Sequence, residues 1–342
     1  MQKLLIICGP TAMGKTSLAI RIAKNLVGHS PERMVSGVES RVEGEIVSAD
    51  SRQVYRGMDI GTGKYLPVGS RIRYPWFYKW GYYEVGGARV WGYDLVDPRN
   101  DFSVAQYIKF ADNIISDIQK RGRTPILTGG TGLYIKAVID RIPTAIIPRN
   151  EALRGNLSSK TATELYEMLS QIDSIKAGSL NSSDKRNPRR LIRAIEVATW
   201  MIDNRQKIVK EEKREHFDIL FVGLRTSREA IEARVDESIS LRVEYGIRQE
   251  IGKLLKQGVK WDSQALMSLG YRQYRDFFEG GVSEDAVIDE WRREEKKYVK
   301  RQMTWFAKDK RINWFDIDDG GYPKSVEKLV KKWYSTDYDE KN

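Results

Sequence analysis

The opening stretch, residues 4–18, constrains this chain more than any other. An apolar run, Leu4-Leu5-Ile6-Ile7-Cys8, stops at Gly9-Pro10-Thr11-Ala12-Met13-Gly14-Lys15-Thr16. Ser17-Leu18-Ala19-Ile20 and Ile22-Ala23 then carry the spacing of an amphipathic helix. This is G-x-x-x-x-G-K-[ST] set between a buried strand and a helix, the context that defines a phosphate-binding P-loop. Gly9 and Gly14 let the backbone curl so that successive N–H groups turn inward onto phosphate oxygens. The positive end of the following helix sits beneath them. Lys15 adds a point charge, and the Thr16 hydroxyl is placed to hold Mg²⁺. A chain built this way binds a phosphate or pyrophosphate group through residues 9–17.

What surrounds the loop narrows its partner. The net charge of +11 over 342 residues favours a polyanion, most simply nucleic acid, over a small metabolite alone. A single cysteine, Cys8, excludes an internal disulfide and a cysteine-based zinc site. The two histidines, His29 and His216, form no triad or metal cluster with their neighbours in sequence. No apolar run approaches a membrane span, so no membrane contact and a cytoplasmic location are expected.

In order along the chain, residues 28–43 read as a polar connection to a second strand, Glu45-Ile46-Val47-Ser48-Ala49. That strand ends in Asp50-Ser51-Arg52-Gln53. An Asp at the carboxyl end of a strand beside a P-loop lies in the ligand crevice of an open α/β sheet. Its plainer role is to cap the following turn, and one carboxylate can do both. Residues 65–90 interleave Tyr65, Tyr74, Trp76, Phe77, Tyr78, Trp80, Tyr82 and Tyr83 with Arg71, Arg73 and Lys79. That mixture suits stacking on unpaired bases, and it equally suits a hairpin that buries one aromatic face. Strand propensity favours the hairpin.

A helix is predicted over residues 105–120, with Ile108, Ala111, Ile115 and Ile118 at helical spacing. A strand over 124–128 leads into Gly129-Gly130-Thr131-Gly132-Leu133-Tyr134, a second glycine-rich turn aimed at the same crevice. Strand–helix alternation predicts a parallel sheet covered by helices, an α/β fold of the P-loop NTPase kind. Prolines at 143 and 148 mark a boundary, and residues 148–212 read as a helical insertion. Within it Arg189, Arg190 and Arg193 sit on or near one helix face, suited to phosphate contacts or to solvent. The core resumes with Ile219-Leu220-Phe221-Val222-Gly223-Leu224 and a helix capped by Ser227 that carries Arg234. The core is thus expected over 1–147 and 213–315, with 316–342 a tail. Residues 291–311 carry nine basic residues against three acidic ones. Trp291, Tyr298 and Trp305, seven apart, are expected to seat this helix and leave a basic face for a phosphate backbone.

With these residues in view, the chain resembles the bacterial tRNA dimethylallyltransferases (tRNA isopentenyltransferases). The matching segments are the P-loop, Ser48 to Tyr55 with Met58-Asp59-Ile60-Gly61-Thr62, Asp94 to Pro98, and Gly129 to Tyr134. Asn187 to Glu196, Gly270-Tyr271-Arg272-Gln273 and Lys300-Arg301-Gln302-Met303-Thr304-Trp305 follow in the family's order. The resemblance implies transfer of a dimethylallyl group from dimethylallyl diphosphate to N6 of adenine 37, in the anticodon stem-loop of tRNA. It implies that Asp50 accepts the N6 proton, and that Lys15, Thr16, Mg²⁺ and Arg234 stabilise the departing diphosphate. It places Thr131, Arg154, Asp50, Ser51, Arg52, Gln53, Arg189, Arg190, Arg193, Met267, Gly270, Tyr271 and Arg272 against tRNA, beside the basic Lys300 and Arg301. The target base must leave its stack to reach the pocket. A monomer is the default expectation.

The chain departs from the family in the long connections 28–43 and 65–90. Trp91-Gly92-Tyr93 replaces a His-rich stretch, and Ser238 stands where a second arginine commonly follows Arg234. Three other readings are weighed against this one. They are transfer to free AMP or ADP, which needs no basic face; a P-loop kinase or ATPase, for which Asp50 would have to serve as the Walker-B acid; and an RNA-binding nucleotide switch, which would not need residues 50–62.

Overall fold

The computed structural model describes residues 2–26, 44–75, 79–204 and 217–339. The connection 28–43, Trp76, Phe77 and Tyr78, and both histidines lie outside the described residues.

The strands are β1 (Gln2–Cys8), β2 (Gly44–Ser48), β3 (Ile72–Arg73), β4 (Tyr82–Val85), β5 (Ala88–Trp91), β6 (Thr124–Gly129), β7 (Phe217–Arg225) and β8 (Asn313–Asp316). They form one sheet in the order β3-β4-β5-β2-β6-β1-β7-β8. From β5 to β8 every pairing is parallel. Leu4 to Cys8 are wholly buried, as a central parallel strand covered on both faces requires. The helices are α1 (Lys15–Asn25), α2 (Val104–Lys120), α3 (Gly132–Ile139), α4 (Glu151–Leu157), α5 (Ala162–Ile172), α6 (Ser174–Ser179), α7 (Ser182–Lys185), α8 (Pro188–Asp203), α9 (Arg228–Glu244), α10 (Ile247–Lys256), α11 (Arg275–Phe278), α12 (Glu284–Phe306) and α13 (Tyr322–Asp339). None of the described helices is long and apolar enough to cross a membrane.

Local chemistry explains where the elements begin. Ser103 and Gln106 close a capping box at the start of α2. Ser227 accepts from the Ala230 N–H at the start of α9. The aromatic stretch is a hairpin, with β4 antiparallel to both β3 and β5 at the sheet edge. Tyr82 packs on Trp91 and Trp80 meets Phe110 edge-on. Tyr65 and Tyr74 are exposed.

The chain divides into one unit of residues 1–140 and 215–342 and a second of 141–214. The second has its own small core, in which Leu157, Leu165, Leu169, Leu191 and Ile195 are buried. The stretch read from sequence as a tail carries α13, whose Val326 and Val330 are buried in the main core. Asp218 accepts hydrogen bonds from Lys3 Nζ at 2.8 Å and Trp333 Nε1 at 2.9 Å, tying α13 to β1 and β7.

Candidate active site

Three adjacent strands deliver the site. β2, β6 and β1 lie side by side, with Ser48 level with Thr128 and Cys8 level with Gly129. The three loops that leave their carboxyl ends therefore start from one edge. That edge is where open α/β sheets bind ligands.

The first loop is the P-loop. Gly14 has φ +70° and opens α1 from the left-handed region. Gly9 has φ +144°, and a Cβ there would stand 2.7 Å from the Leu224 carbonyl oxygen. Neither position suits another residue without strain. Lys15 donates its ammonium to the Pro10 carbonyl. Burial lowers its pKa to about 8, against the opposing pull of Asp50 nearby. Thr16 lies within hydrogen-bonding reach of the buried Tyr93 phenol.

The second loop carries Asp50. Its Oδ1 accepts from the Arg52 N–H at 2.8 Å and the Gln53 N–H at 3.3 Å, which is the capping role read from sequence. Its Oδ2 has no hydrogen-bond donor among the described residues, and so keeps its acceptor capacity. Ser51 N–H donates to Thr131 Oγ1 at 3.0 Å, and Thr131 N–H donates to the Ala49 carbonyl at 3.1 Å. The third loop, 129–132, is thus stitched to the Asp50 turn. Four tyrosines stand near Asp50: Tyr93, Tyr107, Tyr134 and Tyr298. The phenols of all four are pushed up by burial above all, with the Asp50 charge a lesser cause. Tyr298 reaches about 12. Near neutral pH these are uncharged donors. Tyr107 and Tyr134 stack with centroids 3.9 Å apart, and Tyr107 donates to the Ser48 carbonyl at 2.9 Å.

A further layer, which sequence reasoning missed, holds the Asp50 turn from behind. Gln53 Nε2 donates to the Thr62 and Gly63 carbonyls, each at 3.3 Å. The loop that presents those carbonyls is gripped by Glu250 of α10. Glu250 accepts from the N–H groups of Asp59 and Ile60, each at 2.8 Å, and of Gly61 at 3.1 Å. Lys64, wholly buried, donates to the Tyr55 carbonyl and pairs with Asp59 and Asp94. Lys64 stands two residues beyond the matched Met58–Thr62 segment, where nothing in the sequence marks it as buried. The signal for Glu250 was weak: Ile247, Ile251 and Leu254 at helical spacing mark its face as buried.

Other expected site residues lie elsewhere. Tyr271 is fully buried, donates to Glu250 at 2.6 Å and packs on Gly61, so it supports the loop and presents no surface to tRNA. Gly270 is buried beneath the Trp291 ring. Met267 and Arg272 are half-buried beside an open cleft of about 660 Å³, and Arg272 pairs with Glu294 at 2.9 Å. Arg234 is exposed on α9, with no ion-pair partner among the described residues. In the second unit, Arg154 forms a two-pronged pair with the buried Glu196, both distances 2.8 Å. Arg193 also reaches Glu196, and donates to the Thr144 and Ile147 carbonyls. Burial would raise the Glu196 carboxyl, but these arginines hold it at about 2. Arg190 pairs with Asp184, while Arg189 is exposed without an ion-pair partner among the described residues.

The basic stretch needs correcting too. Its helix, α12, ends at Phe306, so Lys308, Lys310 and Arg311 lie beyond it. The buried stripe is Val287, Trp291, Glu295, Val299, Gln302 and Phe306, not the seven-residue repeat. Trp305 is 45% exposed, and its indole covers Gly132. Much of the basic face is neutralised: Lys296 pairs with Asp236, Lys297 with Glu294, and Arg311 with Asp140 and Asp309. Lys300 and Arg301 are exposed and have no ion-pair partner among the described residues. The double variant Lys300→Gln/Arg301→Gln is expected to lower the slope of log K against log salt for tRNA binding by about 1–2. A filter-binding titration across salt concentrations reads this directly, and an unchanged slope removes these two residues from the interface.

Fold and site together define a P-loop-like α/β protein in which the 9–16 loop and Asp50 leave the same edge of the sheet. A model of the family described as IPP transferase matches residues 53–309. The tRNA dimethylallyltransferase of Anoxybacillus flavithermus is 34% identical over 331 residues, covering 96% of this chain and 95% of its own. That of Carboxydothermus hydrogenoformans is 34% identical over 339 residues, covering 96% of each. The crystal structure of the full-length tRNA isopentenylpyrophosphate transferase from Bacillus halodurans aligns with a TM-score of 0.66 and 30% identity, over 98% of this chain and 97% of that one. The chain belongs to the IPP transferase family and is an enzyme of the tRNA dimethylallyltransferase class.

Proposed function

We propose that the P-loop cradles the diphosphate of dimethylallyl diphosphate and that Asp50 deprotonates N6 of an extruded adenine 37 of tRNA. The observation that carries this reading is the unpartnered Oδ2 of Asp50, held by its own capped turn on the same sheet edge as Lys15. N6 attacks the allylic C1, the N6–C1 bond forms, and the C1–O bond to diphosphate breaks. The N6 proton passes to Asp50 Oδ2. Lys15 and the inward N–H groups of the loop take up the charge that develops on the leaving diphosphate.

Magnesium fits this site on its donor chemistry. No cluster of three or more acidic, His or Cys side chains could hold a metal among the described residues. Mg²⁺ commonly needs only one or two protein oxygens beside substrate phosphates. The Thr16 hydroxyl, at the start of α1, has lone pairs to offer a cation. When bound there, the ion would neutralise charge on the diphosphate.

Free AMP or ADP as acceptor finds no supporting feature: the exposed Lys300 and Arg301 serve a longer polyanion. A kinase reading would need Asp50 as its metal acid, and the relatives of this chain are tRNA dimethylallyltransferases instead. tRNA, dimethylallyl diphosphate and a monomeric, cytoplasmic protein complete the proposal.

Lys15 supplies a test. Its ammonium is charged below about pH 8 and is lost above it. kcat/KM for dimethylallyl diphosphate, which reports the free enzyme, is therefore expected to fall as pH rises through 8. Lys15→Arg should move that limb upward, because guanidinium stays charged. A flat profile from pH 7 to 9.5 together with an unchanged kcat/KM in Lys15→Met would remove Lys15 from the phosphate site.

A further inference from the structure

Gln302 lies on the buried stripe of α12 and is 6% exposed. Its side chain spans two of the three site loops. Oε1 accepts the Thr11 N–H of the P-loop at 3.1 Å, across 291 residues of sequence. Nε2 donates to the Gly130 carbonyl at 2.9 Å, across 172 residues. The contact is close: a Cβ on Gly130 would stand 2.5 Å from that Nε2, and the amide would have to shift to admit it. Beyond Gly130 the chain of bonds continues. Thr131 Oγ1 accepts the Ser51 N–H, and Asp50 precedes Ser51. One amide side chain thus connects the loop for the leaving group to the turn that holds the acceptor base.

We infer that Gln302 is a positioning residue that sets the distance between the diphosphate cradle and Asp50, and that the Thr11 N–H is committed to it and takes no part in gripping phosphate. Only a primary amide of this length both accepts from Thr11 and donates to Gly130. Glutamate keeps the acceptor but turns an oxygen toward the Gly130 carbonyl. Methionine fills the space and makes neither bond. Displacement transfer depends on the alignment of nucleophile, carbon and leaving group, and a shift of about 1 Å far from the chemistry can cost about 10²-fold. The same helix presents Lys300 and Arg301 to solvent, so α12 carries both these exposed cations and the amide that bridges the two loops.

The inference rests on the proposed reaction, and two readouts keep them apart. With folded fractions matched by circular dichroism, Gln302→Met and Gln302→Glu should each lower kcat for dimethylallyl transfer by about 10–100-fold. KM for tRNA should stay within about threefold. Thr131→Val cuts the next link, so the double variant Gln302→Met/Thr131→Val should lose no more than the worse single variant, since residues acting as a unit are not additive. Unchanged kcat in Gln302→Met, or losses that multiply in the double variant, would overturn the inference. The second readout needs no activity: amide exchange of the peptide containing Thr11 should quicken in Gln302→Met relative to the unsubstituted chain. Equal exchange would overturn the bridge even if the reaction were another. An inactive unsubstituted chain with faster exchange in the variant would overturn the reaction alone and uphold the bridge.

Discussion

Asp50→Asn is expected to lower dimethylallyl transfer by about 10²–10⁴-fold, the range for loss of a positioned general base, while tRNA binds as before. Asparagine is the sharper variant because of what Oδ1 does. That oxygen accepts from the Arg52 and Gln53 N–H groups, and an amide oxygen can accept both. The turn survives, and with it the Ser51 link to Thr131. What is lost is the ability of the second oxygen to take a proton. Asp50→Ala removes the cap too, which costs about 0.5–2 kcal/mol on top, and mixes two effects. Single-turnover transfer under saturating substrates, with tRNA Kd measured in parallel, separates them. Transfer at the normal rate in Asp50→Asn would move the base elsewhere in the pocket.

Glu250→Ala is expected to destabilise the protein by about 3–5 kcal/mol, because loss of this buried acceptor leaves several neutral donors without a partner. Glu250 is 8% exposed and receives three backbone N–H groups and the Tyr271 hydroxyl. Its removal leaves those donors facing an apolar space, each at about 1–3 kcal/mol before water enters. The adjoining cleft of about 350 Å³, lined by Asp59, Ile60 and Glu250 itself, admits some water and keeps the loss below the sum. Glu250→Gln keeps one acceptor oxygen and should lose about half as much. Denaturant midpoints with an unchanged m-value check both. Because the 59–63 loop holds Gln53, activity should fall further than the folded fraction. A loss under 1 kcal/mol in Glu250→Ala would show that the loop stands without this carboxylate.

The parts of this protein legible in sequence are those written in one place. The P-loop, the strand over 219–224, the helix over 105–120 and the hairpin over 65–90 each carry a local pattern. The supports of the site are not local. Glu250 lies on a face otherwise marked by Ile247, Ile251 and Leu254, and a glutamate there reads as solvent-facing until its three N–H donors, nearly 190 residues away, are in view. Gln302 and Glu295 occupy two of six buried positions on α12. Polar side chains in the stripe hide it from apolar periodicity, and the seven-residue aromatic repeat stands out in its place. The partners of the arginines are equally hidden. The spacing of Arg193 suits phosphate contacts or solvent equally, and only the resemblance puts Arg154 against tRNA; in the structure the buried Glu196 engages both. Nothing in the sequence near residue 154 announces a carboxylate at 196. For α13, a lysine-rich surface conceals Val326 and Val330, which fix it to the core.

The central claim is that this phosphate cradle serves an allylic diphosphate whose carbon goes to a tRNA base. Supplying the protein with dimethylallyl diphosphate labelled in its carbon skeleton, Mg²⁺, and either unmodified tRNA or AMP tests it most directly, with ATP alone as a third arm. Label is expected on N6 of adenine 37 in tRNA, none on AMP, with diphosphate released in step with transfer. Label on AMP alone, or phosphate released from ATP with no label transferred, would contradict it.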